Sequence, residues 1–218
     1  MVRPILPPIL PVRPIRLVES AAETVLEIAV CAAILGVFTL AVWIMLRHSR
    51  KELNEPVMPA ALISYAGVGL ILFLVHGISL TAVKGLILCA ILLWANLSDL
   101  AKHEVPDFVS AMILVLAFVG FDIANLPSML LGAAVVFLPQ MAVSILRPKR
   151  AIGGADIKIS TALAFLLGAE KGIFALLAGM LCGVIVMLIV RKVRKETNRE
   201  PFALVPFLSF GAMLAFMI

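Results

Sequence analysis

Asp99 and Asp156 are the residues of this chain best placed to do chemistry. Each stands in a short polar stretch, S-D-L-A-K-H-E-V-P-D at 98–107 and G-G-A-D-I-K at 153–158, on the edge of an apolar run. A carboxylate against a hydrophobic span is costly, so it marks a functional site by default. Two carboxylates within about 3 Å of each other cannot both ionise cheaply and share one proton. The ionised member takes a proton from water while the protonated one polarises a carbonyl. That is the chemistry of an aspartyl protease working in or at a membrane, and it needs no metal, nucleophile or cofactor.

Other chemistries find less support. His48, His76 and His103 are scattered without an H-E-x-x-H pattern, and no serine stands in a recognisable nucleophile context. Cys31, Cys89 and Cys182 each lie alone in an apolar run, which argues for small buried side chains rather than a zinc or redox site.

Each acid also has a plain structural reading. Asp156 follows Gly153 and Gly154 and precedes an apolar run, so it could simply cap a helix N-terminus. Asp99 ends a span, where a carboxylate meets the unfavourable pole of the helix dipole, so capping does not explain it. Solvation by headgroups and Lys102 is its alternative. Asn96, one turn earlier on the same face, either orients Asp99 or makes an ordinary interhelical bond. Lys158 is either the counter-ion of Asp156 or a marker of the membrane boundary. Val105-Pro106 ends the preceding helix and sets a turn. Glu27, Asp122 and Glu170 read as interfacial, while Pro139 and Gln140 predict a kink and a polar interior contact.

The elements that position these residues are membrane helices. Of the 218 residues, 63% are hydrophobic and 14% charged, against about 25% charged in soluble domains. A helix needs roughly 20 apolar residues to cross about 30 Å of hydrocarbon. Eight stretches qualify or nearly so: 25–46, 58–75, 78–98, 108–121, 129–146, 155–169, 172–190 and 202–218. No strand-type alternation is present, so a barrel is excluded. The expected fold is an all-α polytopic bundle of about eight spans, with six to eight possible. Residues 21–218 form one domain behind a proline-rich tail at 1–20, whose Pro4, Pro7, Pro8, Pro11 and Pro14 rule out a continuous helix.

The net charge of +5 comes from clusters between apolar runs, which set topology rather than build a nucleic-acid surface. The alternate loops that carry most Lys and Arg should face the cytoplasm, putting both acids on that side and both termini outside. Only eleven residues separate Lys158 from Glu170, a rise of about 18 Å. The bilayer is therefore thinned there, or the Asp156 end lies recessed in a water-filled cavity.

These residues together resemble the type 4 prepilin peptidases, including the archaeal preflagellin and prepilin peptidases of the GxGD class of membrane aspartyl proteases. That family's first motif is an Asp followed six to eight residues later by a branched aliphatic residue, Pro and Asn or Asp. Asp99, Val105, Pro106 and Asp107 stand at that spacing. Its second motif is G-x-G-D, often with a later Lys, and is matched by Gly153, Gly154, Ala155, Asp156 and Lys158, with Ala155 replacing the second glycine. The segment P-F-A-L-V-P-F-L-S-F-G-A at 201–212 is similar to a late family segment, so the resemblance runs from about residue 80 onward. The cysteine-rich zinc domain of the long bacterial members has no counterpart here, and the Y-D form of presenilin-like relatives is missing, Tyr65 being the only tyrosine.

The resemblance implies an aspartic endopeptidase without methyltransferase activity, with Asp99 and Asp156 as catalytic pair. Its substrates would be pilin-like or archaellin-like precursors, whose basic leader is cut from a hydrophobic helix at the cytoplasmic face of the cell membrane. Glu104 and Asp107 would attract that leader, or are merely solvated loop acids. The rival readings are a proton-coupled transporter using the same two carboxylates, a non-catalytic assembly protein, and a broader intramembrane protease. The sequence leaves open whether the two acids are apposed at rest.

Overall fold

The computed structural model describes residues 16–48, 57–102, 104–146, 153–194 and 204–218. Most of the proline-rich tail, the loop basic residues Arg50, Lys51, Arg147, Lys149, Arg150, Lys195 and Arg199, His103, and the opening of the late P-F segment lie outside the described residues. Every described element is helical: α1 (Arg16–His48), α2 (Val57–His76), α3 (Leu80–Lys102), α4 (Asp107–Ala117), a 3-10 turn (Ile123–Asn125), α5 (Leu126–Leu146), α6 (Gly154–Leu167), α7 (Ala169–Arg194) and α8 (Val205–Met217). The eight α-helices correspond in order to the eight apolar stretches. Five of them are long and apolar enough to cross a membrane, whereas α4, α6 and α8 have only 11, 14 and 13 residues. This is a multi-pass helical membrane protein.

Helix α6 is the hub, packed against α4, α5, α7 and α8. Its apolar residues are buried all round, from Ile157 and Ile159 to Leu163 and Leu166, as expected of a helix with no polar face. Small residues let its neighbours approach to backbone contact. A Cβ on Gly132 of α5 would stand 2.8 Å from the Ala164 carbonyl oxygen, and one on Gly172 of α7 would stand 2.7 Å from the Ala164 Cα. Close helix approach of this kind drives packing where lipid removes the hydrophobic incentive. A Cβ on Gly179 of α7 would likewise meet the Phe207 carbonyl of α8 at 2.7 Å.

Helix α3 bridges this block to the N-terminal helices by packing on α2, α4 and α8. Leu86, Leu88, Leu92 and Ala95 on its inner faces are fully enclosed. By contrast α1 leans on α2, and its apolar stretch 25–45 is mostly exposed, with Leu35, Phe38, Val42 and Met45 turned to the core. Helix α4 ends earlier than the apolar run suggests, at Ala117 rather than near Phe121. The chain then turns through Gly120 at φ 64°, a left-handed conformation that glycine adopts without a side-chain clash.

Candidate active site

Four helix ends meet at one end of the bundle. The last turn of α3 carries Asp99, and Ser98 closes the following turn by donating its hydroxyl to the Glu104 carbonyl at 2.8 Å. Val105 is buried against the core, and Pro106 in extended conformation forms the N-cap of α4, which begins at Asp107. Val105-Pro106 thus stops one helix and starts the next, as proline geometry demands. Helix α6 starts there too, its first bond running from the Ile157 amide to the Gly153 carbonyl at 3.1 Å. Helix α8 brings its N-terminal residues Leu204 and Val205 to the same place.

Asp99 is buried, with 7% of its surface exposed. Its Oδ2 accepts a hydrogen bond from the Val205 amide at 3.3 Å. Val205 is the first residue of α8, where an N–H has no partner within its own helix. The N-terminus of α8 therefore supplies a donor to a carboxylate that sits at the unfavourable end of α3. One turn deeper, Ser209 of α8 donates to Oδ1 of Asn96 at 2.8 Å. Asn96 thus makes the interhelical bond that its place in a span leads one to expect.

Asp156 is half-buried and is not the N-cap of α6. That position belongs to Gly153, and Asp156 is the third helical residue, with Gly153 contributing no side-chain cap. The capping reading fails by three positions because the glycine pair continues into the helix instead of preceding it. The Asp156 side chain folds back over Gly153, so a Cβ there would come within 2.9 Å of Oδ2, whereas a Cβ on Gly154 would meet nothing. Asp156 lies near enough to Asp99 to feel its charge. The helices carrying them are separated by α4 and α5 in the chain, and folding brings the two acids to one place.

Lys158 does not pair with Asp156. Its Nζ lies 2.7 Å from Oδ1 of Asp107, tying the first turn of α6 to the first residue of α4. The pair is exposed, at 54% and 77% of the side chains. Helical geometry accounts for this, because Lys158 is two residues from Asp156 and projects from a different face. Gly153 and Gly154 are exposed and Ala155 is half-buried, so solvent reaches the motif. Deeper in α6, Ser160 lies 3.0 Å from Oε1 of the buried Gln140, the polar interior contact expected of α5.

Sequence reasoning missed Val205 and Ser209 as partners of the α3 residues. Their one visible signal is a serine inside the apolar run that ends the chain.

The arrangement defines a class first: a polytopic helical membrane protein with two carboxylates gathered at one end of its bundle. Residues 86–188, a region that holds both acids, match the type IV leader peptidase family, and this match supports the resemblance read from the motifs. The family implies a peptidase. No curated protein and no solved structure matches the chain.

Proposed function

We propose that the protein is an aspartyl endopeptidase that removes the short basic leader from pilin-like or archaellin-like precursors, with Asp99 and Asp156 as its catalytic pair. The observation that carries this reading is their position: two acids from distant parts of the chain sit at one end of the bundle, within reach of each other's charge. Val105, Pro106 and Asp107 set the turn that follows Asp99. Gly153, Gly154 and Ala155 form the open, side-chain-poor entry to Asp156, which leaves room for a substrate backbone.

In the reaction, a water held between the carboxylates gives a proton to the ionised one as its oxygen attacks the scissile carbonyl. The protonated carboxyl donates to the carbonyl oxygen as the tetrahedral intermediate forms. Collapse of that intermediate breaks the C–N bond as the proton taken from water passes to the leaving amine and a hydroxyl of the intermediate returns its proton to the other carboxylate. Substrate hydrolysis thus returns the pair to its shared-proton state. The buried setting of Asp99 strengthens each of these electrostatic contacts.

The excess of Lys and Arg in the loops flanking the two acids in the sequence supports a site at the cytoplasmic face of the cell membrane. The test is cleavage of a pilin-type precursor in membranes by the wild type, Asp99→Asn and Asp156→Asn. Loss in both variants at unchanged protein levels is expected. Cleavage surviving either substitution would overturn the pair.

A further inference from the structure

A lateral groove opens between α1, α3 and α4, with a cavity of about 420 Å³. Phe38 and Met45 of α1, Ile87 and Trp94 of α3, and Phe108 and Met112 of α4 form its wall, and every lining residue is apolar apart from the Trp94 indole N–H. The groove exists because α1 packs on α2 and stands off from α3 and α4.

Its position links it to the acids. Trp94 precedes Asp99 by five residues, about 8 Å along α3, and Ile87 precedes it by twelve, about 18 Å. Phe108 directly follows Asp107. The groove therefore begins beside the acid end and runs about three turns into the bundle. Glu104 and Asp107, both exposed, stand at the same end. Arg47 of α1, the cation nearest this end in α1, is folded over the Trp43 ring at 5.0 Å and does not line the groove.

We infer that the groove seats the hydrophobic helix of the precursor, with the basic leader passing over Glu104 and Asp107 towards Asp99 and Asp156. This rests on the peptidase reading above. Charge argues for the occupant: Glu104 and Asp107 at the mouth offer partners to a basic leader, while the apolar wall accepts a membrane helix. Lys158, already paired with Asp107, is the cation the leader displaces. The leader and helix of one precursor match the two halves of this surface in the right order.

Photocrosslinking in membranes tests it, with p-benzoylphenylalanine replacing Met112 or Ala41 in the groove, or Leu177 on the exposed face of α7. The precursor is expected to cross-link from both groove positions and not from Leu177. It is also expected to cross-link several-fold less when its leader is made neutral. As a second readout, Ala41→Trp should raise KM for the precursor roughly tenfold with little change in kcat, the signature of lost uniform binding. A wild type that cleaves the precursor, with no cross-link from Met112 or Ala41 or with cross-links to lipid alone, overturns the groove and leaves the peptidase standing. A cross-link from both positions without any cleavage supports the groove and removes the peptidase reading. Neither cleavage nor cross-link removes both.

Discussion

The two ends of the bundle use their polar side chains differently. At the end opposite the acids, polar groups close helix termini. Lys84 gives its ammonium to the carbonyls of Ala117 and Val119, 3.4 and 3.0 Å away, where α4 runs out. Asp122 accepts from the Ala124 amide at 3.0 Å as the cap of the 3-10 turn, and Ser128 accepts from the Ala169 amide at 3.1 Å at the start of α7. At the acid end, Ser98, Ser209 and the Asp107–Lys158 pair do comparable structural work. Asp99 accepts the amide at the start of α8, yet lies buried at the wrong pole of its own helix, and Asp156 sits inside a first turn already begun by glycine. Polar residues at helix ends are ordinarily explained by the backbone groups they satisfy. For Asp99 this covers the contact to Val205 but not its place at the end of α3, and Asp156 caps no helix terminus, which is the contrast on which the catalytic proposal rests.

The sharpest break of this contrast is removal of the carboxylates. Asp99→Asn and Asp156→Asn should each lower the cleavage rate by about a thousandfold or more, because the two act as a unit. Thermal stability should stay level or rise, since a buried charge that serves function is commonly held at a cost to the fold. A variant that loses activity and stability together would make the acid structural.

The next effect concerns the glycines before Asp156. Gly153→Ala places a methyl against Oδ2 of Asp156 and forces the carboxylate to rotate, which should lower kcat by roughly ten- to a hundredfold. Gly154→Ala meets open space and should leave melting temperature and protein level unchanged. Equal losses from both would mean the pair serves the backbone and not the carboxylate.

The far end should answer in the opposite sense. Asp122→Ala removes a cap and should cost about 1 kcal/mol of stability, read by thermal melting in detergent, with cleavage per folded molecule unchanged. Smallest of all is Lys158→Ala. An exposed pair contributes below about 1 kcal/mol, and its effect on melting should vanish at high salt. A large, salt-resistant loss of activity would restore Lys158 as a partner of Asp156.

Much of this architecture was legible in the sequence because lipid leaves a chain few choices. Apolar stretches such as 129–146 and 172–190 must close their own backbone hydrogen bonds, and they appear as α5 (Leu126–Leu146) and α7 (Ala169–Arg194). The two acids were legible for the same reason, as expensive residues at span edges. What the sequence withheld were contacts between distant elements. Nothing in the spacing pairs Lys158 with Asp107 rather than Asp156, or Asn96 with Ser209 across more than a hundred residues. Those choices depend on the rotation of each helix about its axis, which packing sets. The end of α4 was misjudged because Phe118, Val119 and Phe121 continue the apolar run after the backbone has already turned.

The glycine contacts around Ala164 carry a mechanical meaning. Gly132 and Gly172 clasp that residue from two sides at backbone distance, and Gly179 does the same to Phe207. A joint this tight has no play, because backbone cannot yield as a flexible side chain does. Helices α5 to α8 therefore behave as one gear train, in which α6 cannot slide without its neighbours turning. Helix α1 meets α2 through side chains, Leu35 seating against Gly69, a joint that can give where backbone cannot. The part that would swing aside and the part that would cut are thus different pieces of the same machine.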